Sequence, residues 1–173
     1  MRTSLDGQRS GFRTRALAHG PNLMSRPEPN HNRATVLVIE DCPEVQRYLR
    51  LLLELDYYRV EVASSGEEAL ERIDRGCIPE LVLLDMQMPG MDGLKTLQRL
   101  RDLQPGLKVI ICSGEDHPDT IRQAILLGAQ AYLVKPVPRL YLSAAVEGCL
   151  SPRRSESAAC FIARPSSLAG RLN

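Results

Sequence analysis

Lysine is nearly missing from this chain. Of its 22 basic residues only Lys95, Lys108 and Lys135 are Lys. A lysine placed where chemistry needs a cation is therefore a weak mark of a chosen residue. Cysteine spacing of the metal-binding kind is absent as well. Cys42, Cys77, Cys112, Cys149 and Cys160 show no CxxC, so reduced cytosolic thiols are the expectation, and Cys42 is read as structural. His19, His31 and His117 are scattered and make no metal set. Residues 1–33 lack the apolar stretch of a secretory signal, and no run is long enough to span a bilayer. A cytoplasmic protein without a membrane partner is expected. Internal repeats, coiled-coil heptads and EF-hand spacing are lacking too.

What charge there is lies unevenly. The net charge is +1, residues 1–33 carry six Arg against Asp6 and Glu28, and residues 151–173 carry four Arg against Glu156, which leaves −6 between them. Basic ends flank an acidic middle. Both ends are polar and without apolar period, so 1–33 and 151–173 are expected to be disordered basic tails around one domain, 34–150. Met24 is a second candidate start. Ten Arg without interleaved aromatics or a recognition helix read as solvated tails, and no direct nucleic-acid contact is expected.

Between the tails, short apolar runs alternate with helical spacing. Strands are expected at Thr35 to Ile39, Tyr58 to Ala63, Leu81 to Asp85, Lys108 to Cys112 and Ala131 to Val134. Pro43 suits the first turn of a helix, Ser65 and Glu68 have capping-box spacing, Asp92 can cap a third helix, Pro118 opens a fourth that Gly128 ends, and 138–150 form the last. Five such βα units imply an α/β fold, a parallel sheet with helices on both faces. Ligands of such sheets bind at the carboxyl ends of the strands, near the topological switch point.

Those ends carry the chemistry. Glu40 and Asp41 follow the first strand, Asp85 ends the third, Ser113 follows the fourth and Lys135-Pro136 the fifth. Each like-charged carboxylate pair at about 4 Å costs roughly 4 kcal/mol at an effective dielectric near 20, so protons or a hard cation must offset it. Mg²⁺, which keeps waters and takes one or two carboxylates plus phosphate oxygens, suits an acidic group open to phosphate. Asp85 is then a candidate nucleophile toward phosphorus, Lys135 a cation for the phosphate and Ser113 a hydroxyl donor. An Asp-x-Asp phosphatase would need an acid where Gln87 stands.

Residues 35–150 resemble the receiver domain of bacterial two-component response regulators. The resemblance rests on an acid pair after the first strand, Asp85-x-x-Met88-Pro89-x-Met91-Asp92-Gly93 after the third, Ser113 after the fourth and Lys135-Pro136 after the fifth. It implies a flavodoxin-like sheet of five strands in the order 2-1-3-4-5. It also implies phosphorelay signalling, with Asp85 accepting a phosphoryl group from a sensor histidine kinase or a histidine phosphotransfer protein. Such a protein is no enzyme but a phospho-acceptor that assists its own phosphorylation and dephosphorylation. Mg²⁺ would be held by Glu40, Asp41, Asp85 and the backbone carbonyl of Gln87. Ser113 and Tyr132 would form the switch, the Lys135-Pro136 bond would be cis, and Gln87 and Glu115 would influence phosphate lifetime. With no effector domain following, output is expected through contact with an unidentified protein. The last helix is apolar on a second face (Leu140, Tyr141, Ala144) as well as its core face (Leu142, Val146, Cys149). Packing under a tail and a homodimer contact are both open.

Overall fold

Short strands of Val, Leu and Ile, buried along their whole length, need cover on both faces, and alternation with helices supplies it. The computed structural model describes residues 34–151 and 161–163. In chain order the elements are β1 (Thr35–Ile39), α1 (Pro43–Leu55), β2 (Arg59–Ala63), α2 (Gly66–Asp74), β3 (Leu81–Leu84), α3 (Gly93–Leu103), β4 (Lys108–Ser113), α4 (Pro118–Leu126), β5 (Ala131–Val134), α5 (Arg139–Leu150) and β6 (Phe161–Ala163). All neighbours pair in parallel, in the order β2-β1-β3-β4-β5-β6.

Period-two alternation divides the core. Leu37, Ile39, Val82, Leu84, Val109, Ile111 and Tyr132 face α2, α3 and α4. Val36, Val38, Leu81, Leu83, Ile110 and Leu133 face α1 and α5. On α5 the core side is Leu142, Ala145 and Val146, with Cys149 only partly buried and Leu140 exposed.

One expectation is corrected. Residues 161–163, assigned to a disordered tail, form a sixth strand on the outer edge of β5. A three-residue strand has no readable period, and it exists because β5 offers unpaired backbone groups along that edge. The disorder expected in 1–33, 152–160 and 164–173, with Met24, His19 and His31, lies outside the described residues.

Caps follow the sequence with one twist. Asp92 accepts from the Lys95 N–H at 2.8 Å, and Ser65 accepts from the Glu68 N–H at 3.1 Å. Glu68 does not complete the box at Ser65. It takes the N–H and hydroxyl of Ser64 at 2.7 and 2.6 Å and also binds Arg72. These bonds, led by the Ser64 hydroxyl, pull its carboxyl down to about 2 from 4.5. A depressed carboxyl stabilises the fold above the unfolded value and loses that stabilisation as pH falls through the folded one. Stability should therefore decline between pH 5 and 2, and Glu68→Gln should flatten part of that decline in urea titrations. Ser65→Ala should cost about 1 kcal/mol in the same titrations at pH 7.

Candidate functional site

Parallel strands end at one rim, so residues just past β1, β3, β4 and β5 meet there. The ladder continues one step beyond each strand. Glu40 N–H donates to Ala63 O at 3.1 Å, Asp85 N–H to Ile39 O at 2.9 Å and Lys135 N–H to Ser113 O at 2.8 Å. β1 is flanked by β2 on one side and β3 on the other, so the chain reverses direction across the sheet between the acid pair and Asp85. A crevice is expected at that point.

The rim gathers the predicted residues. Lys135 Nζ donates to Glu40 Oε2 at 2.8 Å and to Asp85 Oδ2 at 2.9 Å. Carboxylate oxygens of Glu40, Asp41 and Asp85 all lie within 4.8 Å of one another. Glu40 is 1% exposed and Asp85 4%, with Asp41 nearer solvent. Backbone donors finish the set, Cys42 N–H to Glu40 Oε1 at 3.3 Å and Gln87 N–H to Asp85 Oδ1 at 3.2 Å. The Lys135-Pro136 peptide is cis, as expected.

Three carboxylates face one ammonium, leaving local charge near −2. Burial raises the Glu40 carboxyl, and Lys135 only partly opposes it. The ammonium of Lys135 is pulled down by burial but raised on balance by its bonds to Glu40 and Asp85, so it stays charged. A raised carboxyl favours the fold fully below its unfolded value, and that favour is lost as pH rises through the folded one. Glu40 in its carboxylate form is thus a cost the fold carries. The donor set is all oxygen, crowded, anionic and open on one side. It could hold a hard divalent cation, which would relieve that cost.

Ser113 and Tyr132 form a second group at the same rim. Ser113 is buried, and its Oγ accepts from Glu115 N–H at 3.1 Å. Tyr132 is 0% exposed, and its hydroxyl donates to Glu115 O at 2.7 Å. Thr120 Oγ1 in turn donates to Glu115 Oε1 at 2.8 Å. A Cβ at Gly114 would stand 3.1 Å from Gln87 Oε1, so the loops after β3 and β4 touch.

The supporting roles of several residues were not legible in the sequence. Gly93 opens α3 where a Cβ would lie 2.5 Å from Met86 Cα and 2.6 Å from Asp85 O. Only a glycine lets α3 start this close to the end of β3. Gly93→Ala should therefore destabilise the protein by about 1–3 kcal/mol in urea titrations. Glu67 accepts from Met91 N–H at 2.9 Å and so clamps the loop after Asp85. Tyr48 donates to Val137 O at 3.0 Å, tying α1 to the loop after Lys135. The Glu67 and Tyr48 contacts span 24 and 89 positions, beyond any local signal. Gly93 was already visible in the Asp92-Gly93 pair, but its steric reason is the approach of α3 to the backbone of Asp85 and Met86.

Cysteine offers no rival chemistry here. Cys112 is buried, which pushes its thiol up to about 12, and Cys42 donates its S–H to Glu44 Oε2 at 3.3 Å. A cleft of about 690 Å³ lies at the other rim, lined by residues such as Arg59, Glu61, Glu68 and Arg72. Its charges pair with one another, Arg72 lying 2.8 Å from Glu68 and 3.8 Å from Glu61.

Comparison with known proteins adds independent findings. The family described as "Response regulator receiver domain" matches residues 36–147. The positive alginate biosynthesis regulatory protein of Pseudomonas aeruginosa is 41% identical over 127 residues, 72% of this chain and 50% of that protein. The chemotaxis protein CheY of Treponema pallidum is 32% identical over 115 residues, 65% of this chain and 79% of that one. A solved receiver domain protein from Clostridium thermocellum superposes with a TM-score of 0.64 at 34% identity, covering 67% of this chain and 93% of that chain. A CheY-like receiver domain from Methanospirillum hungatei gives 0.64 at 28%, covering 67% and 92%. The chain spans about half the length of the first curated relatives it matches.

Proposed function

The chain belongs to the response regulator receiver family and carries a receiver domain of phosphorelay signal transduction; on that premise we propose that Asp85 is its phospho-acceptor, served by a divalent cation and Lys135. The observation that carries this is the placing of one buried carboxylate, Asp85, 2.9 Å from an ammonium and within 4.8 Å of two further acids.

The donor would be a phosphorylated histidine on a sensor kinase or phosphotransfer protein. A carboxylate oxygen of Asp85 forms the new P–O bond as the P–N bond breaks. The electron pair of that bond stays on the imidazole nitrogen, which takes up a proton. Glu40, Asp41 and Asp85, with the Gln87 carbonyl, would hold Mg²⁺. The ion would supply charge neutralisation for the phosphoryl oxygens. Lys135 already bonds the carboxylate that would carry the phosphate, so it neutralises charge without reorganising. Phosphorylated, Asp85 offers new acceptors to Lys135 and Ser113. Glu115, Thr120 and Tyr132 form the bonded cluster through which Ser113 would report. Moving such a switch from 1:99 to 99:1 takes about 5.5 kcal/mol of differential stabilisation. Gln87 and Glu115 would tune phosphate lifetime.

On this reading the protein is a phospho-acceptor that assists its own modification rather than a turnover enzyme. Its output would be contact with another protein, with α5 a candidate surface for a second copy. A cytoplasmic setting fits, and no described helix is long and apolar enough to cross a membrane. The test uses phosphoramidate, whose P–N bond imitates the donor. With Mg²⁺ the intact mass should rise by one phosphoryl group, and with EDTA it should not. A mass unchanged under both conditions would leave a constitutive binding module instead.

A further inference from the structure

The open edge of β5 is occupied by the chain itself. β6 pairs Phe161 with Ala131, Ile162 with Tyr132 and Ala163 with Leu133. Register partners on neighbouring parallel strands send their side chains to the same face. Ala163 accordingly joins Leu133 in the core cluster under α1 and α5, where it is 7% exposed. Ile162 therefore stands on the other face, the face of the Tyr132 ring, about one strand spacing (~4.8 Å) outward from it. β4 fills the inner flank of β5, and α4 residues Ile121 and Ala124 share the ring's cluster. The flank across which the ring could swing to solvent is the outer one, where Ile162 stands in register with it.

We propose that Phe161–Ala163 is a detachable strap on the β5 edge: seated, it keeps Tyr132 inside; released, it opens the way out for the ring. Three residue pairs are a slight hold, and Ile162 is itself 43% exposed, so this strand belongs to the easily opened end of the fold. The Tyr132 hydroxyl holds the Glu115 carbonyl, and the Glu115 N–H holds the Ser113 hydroxyl. Strap and acceptor rim thus meet in one element with two arrangements, and by linkage whatever moves one biases the other. That last connection rests on the function proposed above; the strap itself does not.

The test uses the full chain with 3-fluorotyrosine, read by ¹⁹F resonance and by amide exchange at residues 161–163. Ile162→Ala removes the side chain beside the ring and leaves the core alone. Ala163→Asp brings a carboxylate into an apolar seat and should expel the strand. In the unaltered protein, Tyr132 should give one buried resonance, with 161–163 protected. Ala163→Asp should lose that protection and raise the solvent-exposed Tyr132 population about tenfold or more. Ile162→Ala should raise that population less, with protection kept. The proposal is overturned by unprotected 161–163 in the unaltered protein, or by protection retained in Ala163→Asp. It is equally overturned by a Tyr132 resonance unmoved once the strand is off. Should Ala163→Asp unfold the whole domain, Ile162→Ala decides, and an unchanged exposed population in it counts against the strap. No phosphate enters these measurements, so failure to label Asp85 would strike the proposed function and leave this result standing.

Discussion

Asp85→Asn is expected to abolish phosphoryl labelling while making the metal-free protein more stable. Loss of labelling follows because an amide is no nucleophile toward phosphorus, and the rim holds no other carboxylate so placed against Lys135 except Glu40, which is buried deeper. The gain in stability follows from charge. Asp85 is attracted by one ammonium at 2.9 Å and repelled by two carboxylates within 4.8 Å. At an effective dielectric near 20 the two repulsions outweigh the attraction by about 1 kcal/mol, and relief of desolvation adds to this. Thermal melts in EDTA should show the variant above the unaltered protein, and Mg²⁺ should raise the unaltered protein more than the variant. A variant that melts lower in EDTA would mean that Asp85 is held by contacts other than those at the rim.

Lys135→Ala should have the opposite sign and a larger size. Removing the ammonium leaves Glu40 and Asp85, 1% and 4% exposed, buried without their cation. Breaking a buried pair in this way typically costs 3–5 kcal/mol, and the partly open Lys135 puts the expected loss near ~3 kcal/mol at pH 7. Two treatments should recover it. Lowering the pH should help because Glu40, already raised by burial, is raised further without Lys135, and a raised carboxyl costs stability as pH climbs from its unfolded value through its folded one. Adding Mg²⁺ should help because a divalent cation replaces the missing charge at the three acids. Urea titrations at pH 7 and pH 5, with and without Mg²⁺, check all of this. A loss below ~1 kcal/mol that neither treatment alters would show that Lys135 does not neutralise the rim.

Much of this rim was legible in the sequence because parallel strands convert chain position into place. A residue ending a buried apolar run has one location available, so Glu40, Asp41, Asp85, Ser113 and Lys135 could be gathered without coordinates. The strand order was implied by the resemblance to receiver domains, while the βα alternation by itself implied only a parallel sheet covered on both faces. Contacts lacking any period were lost. β6 depends on an edge that β5 leaves open, and Phe161–Ala163 alone is too short to declare itself. Gly93 sits in the motif that follows β3, yet its necessity is a 2.5 Å approach between segments that a sequence cannot measure. Glu68 fits a capping box by spacing but turns to Ser64, because the Ser64 N–H and hydroxyl together offer two donors. On α5 the spacing named Leu142, Val146 and Cys149; Cys149 packs against that core only partly buried, and Ala145, which the spacing did not name, joins its buried side.

Chemical trapping addresses the acceptor itself. Protein labelled with phosphoramidate and Mg²⁺ is treated with borohydride, which reduces an aspartyl phosphate to homoserine, and the peptides are sequenced by mass spectrometry. Homoserine at position 85 and nowhere else is the predicted result. Labelled protein with Asp85 intact, the reduced residue falling at Glu40, Asp41 or outside the rim, would contradict the account.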